Sequence, residues 1–81
     1  MASSGDFKDL VEYIVKSLVD SPENVVVTET EENSSVLLEI SVSEEDMGRL
    51  IGRGGVVVNS IRSLLQVAGA KKGKRVTLEI I

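Results

Sequence analysis

Seven residues in the second half of the chain, Arg49-Leu50-Ile51-Gly52-Arg53-Gly54-Gly55, have types and spacing that suit a chemistry: the holding of phosphate. Each glycine costs about 0.5–1 kcal/mol relative to alanine in a helix interior, so three glycines in four positions must break a helix. A helical pattern leads up to them and another resumes at once with Val56 or Val57. The free N–H groups and the positive dipole end of the second helix therefore fall at Gly54-Gly55. Glycine puts no side chain in the way, so an anionic phosphate chain can approach that backbone closely. Arg49 and Arg53 add positive charge. Two other glycine-loop chemistries fail on spacing. The dinucleotide fingerprint needs a third glycine where Val57 stands and a strand before the loop, and the P-loop needs a Gly-Lys-Ser/Thr that is missing. A tight helix–turn–helix corner with no ligand accounts for a bare Gly-x-Gly-Gly equally well.

Little else in the chain offers chemistry. The 81 residues include no Cys and no His. That excludes a disulfide framework, His- or Cys-based metal sites, and Ser-His-Asp or Cys-His catalysis. Ser and Thr hydroxyls are scattered without a base, so the chain reads as a non-enzyme with no cofactor. Glu44-Glu45-Asp46 are adjacent and start a helix, so they diverge rather than converge on a metal, and EF-hand spacing is missing. No 18-residue apolar run exists to span a membrane, and the polar start Met1-Ala2-Ser3-Ser4-Gly5-Asp6 lacks the pattern of a secretory signal. The expected compartment is the cytoplasm.

The elements that must position the glycine loop follow from periodicity. Residues 1–5 read as a disordered tail, and 6–81 as one domain, the most that 81 residues allow. Hydrophobic residues make up 42% of the chain, enough for a core, and nearly all are aliphatic. Phe7, Leu10, Val11, Ile14, Val15, Leu18 and Val19 form one helical stripe, which Ser4 or Asp6 can cap and Asp20-Ser21-Pro22 ends. Val25-Val26-Val27-Thr28 reads as a strand, Glu31-Glu32-Asn33-Ser34 as a turn, and Val36, Leu38, Ile40 and Val42 as a second, period-two strand paired in an antiparallel hairpin. Ser43 and Asp46 make a capping box for a short helix over about residues 44–51. Beyond the loop, Val57, Ile61, Leu64, Leu65 and Ala68 mark the inward stripe of a helix that Gly69 should stop, with Val56, Val58 and Val67 off it. A basic loop, Ala70 to Lys74, leads to a last strand through Val76, Leu78 and Ile80. The order α-β-β-α-α-β predicts a two-layer α+β domain, a three-stranded sheet packed on helices.

The net charge of −4 conceals a division. Residues 1–46 hold 12 of the 13 acidic residues beside Lys8 and Lys16 alone, whereas residues 47–81 hold seven basic residues against Glu79. This is either a basic surface on an acidic domain or two solvated faces.

Gly48 to Gly55, followed six residues later by Ile61-Arg62, resembles the signature of KH domains: a G-x-x-G loop joining two helices, an Ile before it and an apolar helix after it. The element order resembles the type II arrangement. Length and ending resemble the small bacterial KH-domain RNA-binding proteins of the KhpA type, over about Phe7 to Ile81. Such loops clamp about four nucleotides of single-stranded RNA by their backbone. The resemblance implies that Gly52, Arg53, Gly54 and Gly55 form the clamp, with Arg53 and Gly54 facing the phosphates. Ile51 and the strand residues Ile40 to Val42 would floor an apolar groove for the bases, and Arg49 would add charge. Arg62 either reaches a phosphate or pairs with an acidic neighbour. Val56 stands where such proteins often carry Arg or Lys, which removes one phosphate contact. Lys71-Lys72-Gly73-Lys74-Arg75 either adds phosphate contacts or is a solvated loop.

The expected function is single-stranded RNA binding of low sequence specificity, as an RNA chaperone or post-transcriptional regulator. The aliphatic residues that cannot all point inward suggest a dimer interface near the glycine loop. The resemblance also implies pairing with a larger KH-containing protein. A second reading makes the chain a dimerisation or scaffolding module for that partner, with marginal RNA contact.

Overall fold

A computed structural model describes residues 6–81; the expected tail, residues 1–5, and Ser4 as a helix cap lie outside the described residues. The elements are α1 (Asp6–Leu18), β1 (Val26–Glu32), β2 (Ser35–Ser41), α2 (Met47–Ile51), α3 (Val56–Lys71) and β3 (Arg75–Ile80). Short 3-10 turns precede β1, α2 and α3. The order is the α-β-β-α-α-β expected for the α+β fold. Among the described residues, no helix is long and apolar enough to cross a membrane.

The sheet runs β1-β2-β3. β1 and β2 pair antiparallel from Val26↔Ser41 to Glu32↔Ser35, across a two-residue turn in which Asn33 takes a positive φ of 56°. β2 and β3 pair in parallel, from Ser35↔Arg75 to Ile40↔Ile80. Parallel neighbours need a long crossover, and here α2, the glycine corner and α3 supply it. Val27, Val36, Leu38, Ile40, Val76 and Leu78 point to one face of the sheet and are buried there. Phe7, Val11, Val15 and Val19 of α1 and its following turn, Leu50 of α2, and Val58, Ile61 and Leu65 of α3 close the core from the other side.

Three local readings change. Leu10 and Leu18 are exposed, so α1 buries a narrower stripe of Phe7, Val11 and Val15, and its third N–H, that of Lys8, is taken by the Glu29 carboxylate of β1 at 3.0 Å. On α3 the inward residue is Val58 and not Leu64, which is 63% exposed. Gly69 does not stop α3. It is buried inside the helix, where a Cβ would stand 2.7 Å from Val76 Cγ2 and 2.8 Å from the Lys74 carbonyl oxygen, so its lack of a side chain lets α3 lie close on β3. The stop comes at Gly73, φ 69°, with Lys74 N–H on the Gly69 carbonyl and Gly73 N–H on that of Ala70, a Schellman motif.

Asp46 also departs from its expected part. Neither Ser43 nor Asp46 caps a backbone N–H of the short helix. Asp46 is 2% exposed. Its Oδ1 accepts the N–H of Asp20 and its Oδ2 accepts the N–H of Ser21 and the hydroxyl of Ser43, each at 3.0 Å. The carboxylate thus ties the entrance of α2 to the end of α1. The Asp20 N–H, followed by the Ser21 N–H, the Ser43 hydroxyl and the nearby charge of Arg49, holds its pKa below the ordinary 3.8 against the opposing effect of burial.

A depressed native pKa stabilises the fold above the ordinary value, and that contribution is lost as pH falls through the native one. Asp46→Asn should therefore lower the urea midpoint at pH 7, and the gap to the parent should narrow between pH 4 and pH 2; a gap of constant size would contradict the ionised clasp. Gly69→Ala should destabilise by up to about 2 kcal/mol in the same urea titration, because overpacking costs about 1–3 kcal/mol against about 1 gained in helix propensity.

Candidate nucleic-acid interface

α2 and α3 meet through Gly52 to Gly55. The corner turns because three of its residues have positive φ: 78° at Gly52, 64° at Gly54 and 83° at Gly55. Gly52 is held there by sterics as well as by conformation. A Cβ on it would lie 2.5 Å from Val57 Cγ2 and 2.8 Å from the Val57 nitrogen, inside the first turn of α3. Gly54 differs: a Cβ there would meet nothing within 4 Å. The backbone is thus open to solvent at Gly54, at the positive dipole end of α3, where the N–H groups of Gly55 and Val56 are already taken by the carbonyls of Gly52 and Arg53.

The structure brings Arg49, Ile51, Gly52, Arg53, Gly54 and Gly55 together at this one corner. Arg53 is exposed and forms no ion pair among the described residues. Ile51 is 36% exposed, which leaves an aliphatic edge beside the glycines. Arg49 lies 3.3 Å from the Asp20 carboxylate in a largely exposed pair, an interaction worth little in water and open to competition from a phosphate.

Two groups lie elsewhere. Arg62 pairs with no acidic neighbour among the described residues: one guanidinium nitrogen donates to Asn59 Oδ1 at 2.8 Å and the other to the Leu78 carbonyl at 3.0 Å. It braces α3 on β3, in a segment between the glycine corner and the basic turn. Ile40 is fully buried beneath the helices and floors no groove; Val42 is partly buried. The basic run lies at the far end of α3, about 24 Å from the corner at 1.5 Å per residue. There Lys74 pairs with Glu31, and Lys72 sits 5.4 Å above the centre of the Phe7 ring.

Sequence reasoning missed Asp46 as an anchor of the corner. An acidic residue after Ser43 and two other acids looked like one more charge on a helix start. Only the approach of Asp20 and Ser21, 25–26 residues earlier, separates it from Glu44 and Glu45.

Comparison with known proteins covers the same extent as the fold. The family model described as KhpA/KhpB, KH domain, matches residues 8–80. The RNA-binding protein KhpA of Clostridium perfringens is 49% identical over 74 residues, covering 91% of this chain and 99% of the relative. That of Listeria monocytogenes is 47% identical over 74 residues, covering 91% and 97%. That of Borreliella burgdorferi is 43% identical over 81 residues, covering 100% and 99%. No solved structure matches the chain. A three-stranded sheet whose parallel crossover is broken by a glycine corner, matched from residue 8 to residue 80, places this chain in the KhpA/KhpB family of KH domains.

Proposed function

We propose that the chain binds single-stranded RNA by holding its sugar–phosphate backbone against the Gly52-Arg53-Gly54-Gly55 corner, with low sequence specificity and without catalysis. The observation that carries this reading is Gly54. It has left-handed backbone with open space where a side chain would stand, beside Arg53, which forms no ion pair among the described residues, and at the head of a 16-residue helix. A phosphate can come close to the open backbone at the positive dipole end of α3, and the guanidinium adds a charge-assisted contact. The relatives named as RNA-binding proteins support the same ligand class. Phe7 is buried and Tyr13 lies on α1, so bases have no aromatic platform at the corner and meet aliphatic surface at Ile51 instead. Backbone contact with little base reading suits a cytoplasmic RNA chaperone or post-transcriptional regulator.

A second observation favours self-association. Val56, Leu64 and Val67 on α3 are 57%, 63% and 64% exposed, a run of apolar surface that α3 turns away from its own core. We assign this face to a second copy of the chain, with a larger KH-containing protein as the competing occupant. Val58, one of the aliphatic residues that pointed to an interface, belongs to the core instead.

Fluorescence anisotropy with a short single-stranded RNA tests the clamp. With two phosphates neutralised by Arg49 and Arg53, a fourfold rise in salt should weaken binding about sevenfold. Arg53→Asp with Gly54→Asp should abolish binding while the circular dichroism spectrum stays that of the parent; a variant that binds as well as the parent would remove the clamp assignment. Light scattering tests the second part. The parent should have the mass of two chains and Val67→Glu that of one, whereas a parent that stays single at high concentration would leave the face to the larger partner.

A further inference from the structure

The outward face of α3 reads the same in both directions. Val56, Ser60, Ser63 and Val67 fall at i, i+4, i+7 and i+11, one stripe along the helix, and all four are exposed. Their spacing of four, three and four is a palindrome. Two copies packed antiparallel about a two-fold axis between Ile61 and Arg62 set Val56 of one on Val67 of the other and Ser60 on Ser63. That is the self-complementary match an isologous contact requires. The Ser60 hydroxyl already donates to the Val56 carbonyl at 2.6 Å, so its burial leaves no unmet donor. Two small residues at the centre suit a close approach, near the lower end of the 8–10 Å between packed helix axes. From Val56 to Ala70 the one charged residue is Arg62, which is drawn aside to the Leu78 carbonyl. No charge has to be stripped of water for the two helices to meet.

The same register has a consequence at the helix ends. The glycine corner, just before Val56, stands level with the Ala70–Lys71 end of α3 in the other copy. We infer that the RNA site is completed across the dimer: Lys71 of the second copy flanks the corner and takes a phosphate beyond those held by Gly52 to Gly55. The inference rests on the two readings above, the clamp and the α3 contact. Lys71 is exposed and forms no ion pair among the described residues, unlike Lys74, which is tied to Glu31. Within one chain, the two ends of α3 are about 24 Å apart, roughly three Debye lengths at physiological salt. Across the axis they are separated by about one interaxial spacing, roughly 8 Å.

Without RNA, this arrangement sets Lys71 of one copy against Arg53 of the other, a like-charge contact that opposes association at low salt. A bound phosphate chain removes the repulsion. RNA and the second copy then favour one another, and each must strengthen the other by the same factor.

The test is a cycle of Lys71→Gln, Val67→Glu and the double variant, titrated with a fluorescent twelve-residue oligouridine over a range of salt. In the dimeric protein, Lys71→Gln should weaken binding and lower the salt slope by about 0.7, the value for one phosphate contact on a single strand. In the Val67→Glu monomer the same change should do nothing, so the two effects should not add. Leu64→Glu, also at an exposed position, repeats the monomer arm independently. An equal effect of Lys71→Gln in both backgrounds would mean that Lys71 acts within its own chain and would overturn the inference, as would no effect in either. A parent that binds no RNA removes the clamp and this inference with it. A Val67→Glu protein that remains dimeric removes the α3 contact and this inference with it. The three failures are therefore separable.

Discussion

The 2.5 Å that separates Val57 from the place where a side chain on Gly52 would stand governs the rest of the molecule. The crossover from β2 to the parallel strand β3 must travel along one face of the sheet and return, and it does so in two helices of unequal length. A smooth bend would spread the turn over a loop. Here the first turn of α3 is pressed onto the end of α2, and only a residue without a Cβ fits between them. The same closeness leaves the backbone of the next residues outside, with no room for it to retreat into the core. The exposed glycine backbone at the head of α3 is thus a product of packing behind it.

Two further contacts hold that arrangement from either end. At the entrance of α2, Asp46 gathers the N–H groups of Asp20 and Ser21 and the hydroxyl of Ser43. A buried carboxylate with three donors is stable only while all three stay in place, so it fixes where α2 begins relative to α1. At the far end of α3, Gly69 lets the helix settle on Val76 and the Lys74 carbonyl, and Arg62 bridges to Leu78 in between. α3 therefore lies along the β3 edge with little freedom to roll. Its first turn is aimed by contacts as far as about 20 Å away.

The sequence carried the element types because each depends on a short-range pattern. Val36, Leu38 and Ile40 alternate, the α1 residues recur at helical spacing, and the glycines break a helix wherever they cluster. It carried the corner for the same reason. What stayed hidden depends on partners distant in the chain. Val58 and Leu64 are both aliphatic members of one helix, and only the position of β3 decides which turns inward. Gly69 looks like a stop by its type, but it is a contact point because Val76 and Lys74 come back against it. The partners that Arg62 has within the chain, a carbonyl of β3 and an amide on its own helix, are not recorded in its immediate sequence. The parallel pairing of β2 and β3 was likewise beyond reach, since nothing local to either strand records the direction of the other.

A net charge of −4 argues against affinity for a polyanion, and the layout of the fold answers it. The acidic hairpin of β1 and β2 meets the C-terminal end of α3, where Ser34 accepts the N–H of Arg75 and Glu31 is paired with Lys74. Its turn end, with Glu31 and Glu32, is therefore some 24 Å from the corner, where a Debye length of about 8 Å leaves little of its field. Closer by, Asp46 is buried among donors and Asp20 is paired with Arg49. Glu44 and Glu45 remain exposed, about 10 Å away by the rise of the residues between, just beyond one Debye length. A phosphate at Gly54 therefore meets chiefly the dipole end of α3 and the charge of Arg53. That balance shifts as salt is lowered, because the acidic residues then begin to reach the corner too. The field that a phosphate chain would meet at the corner is local, and the acidic half sets a limit on how strongly it can act at a distance.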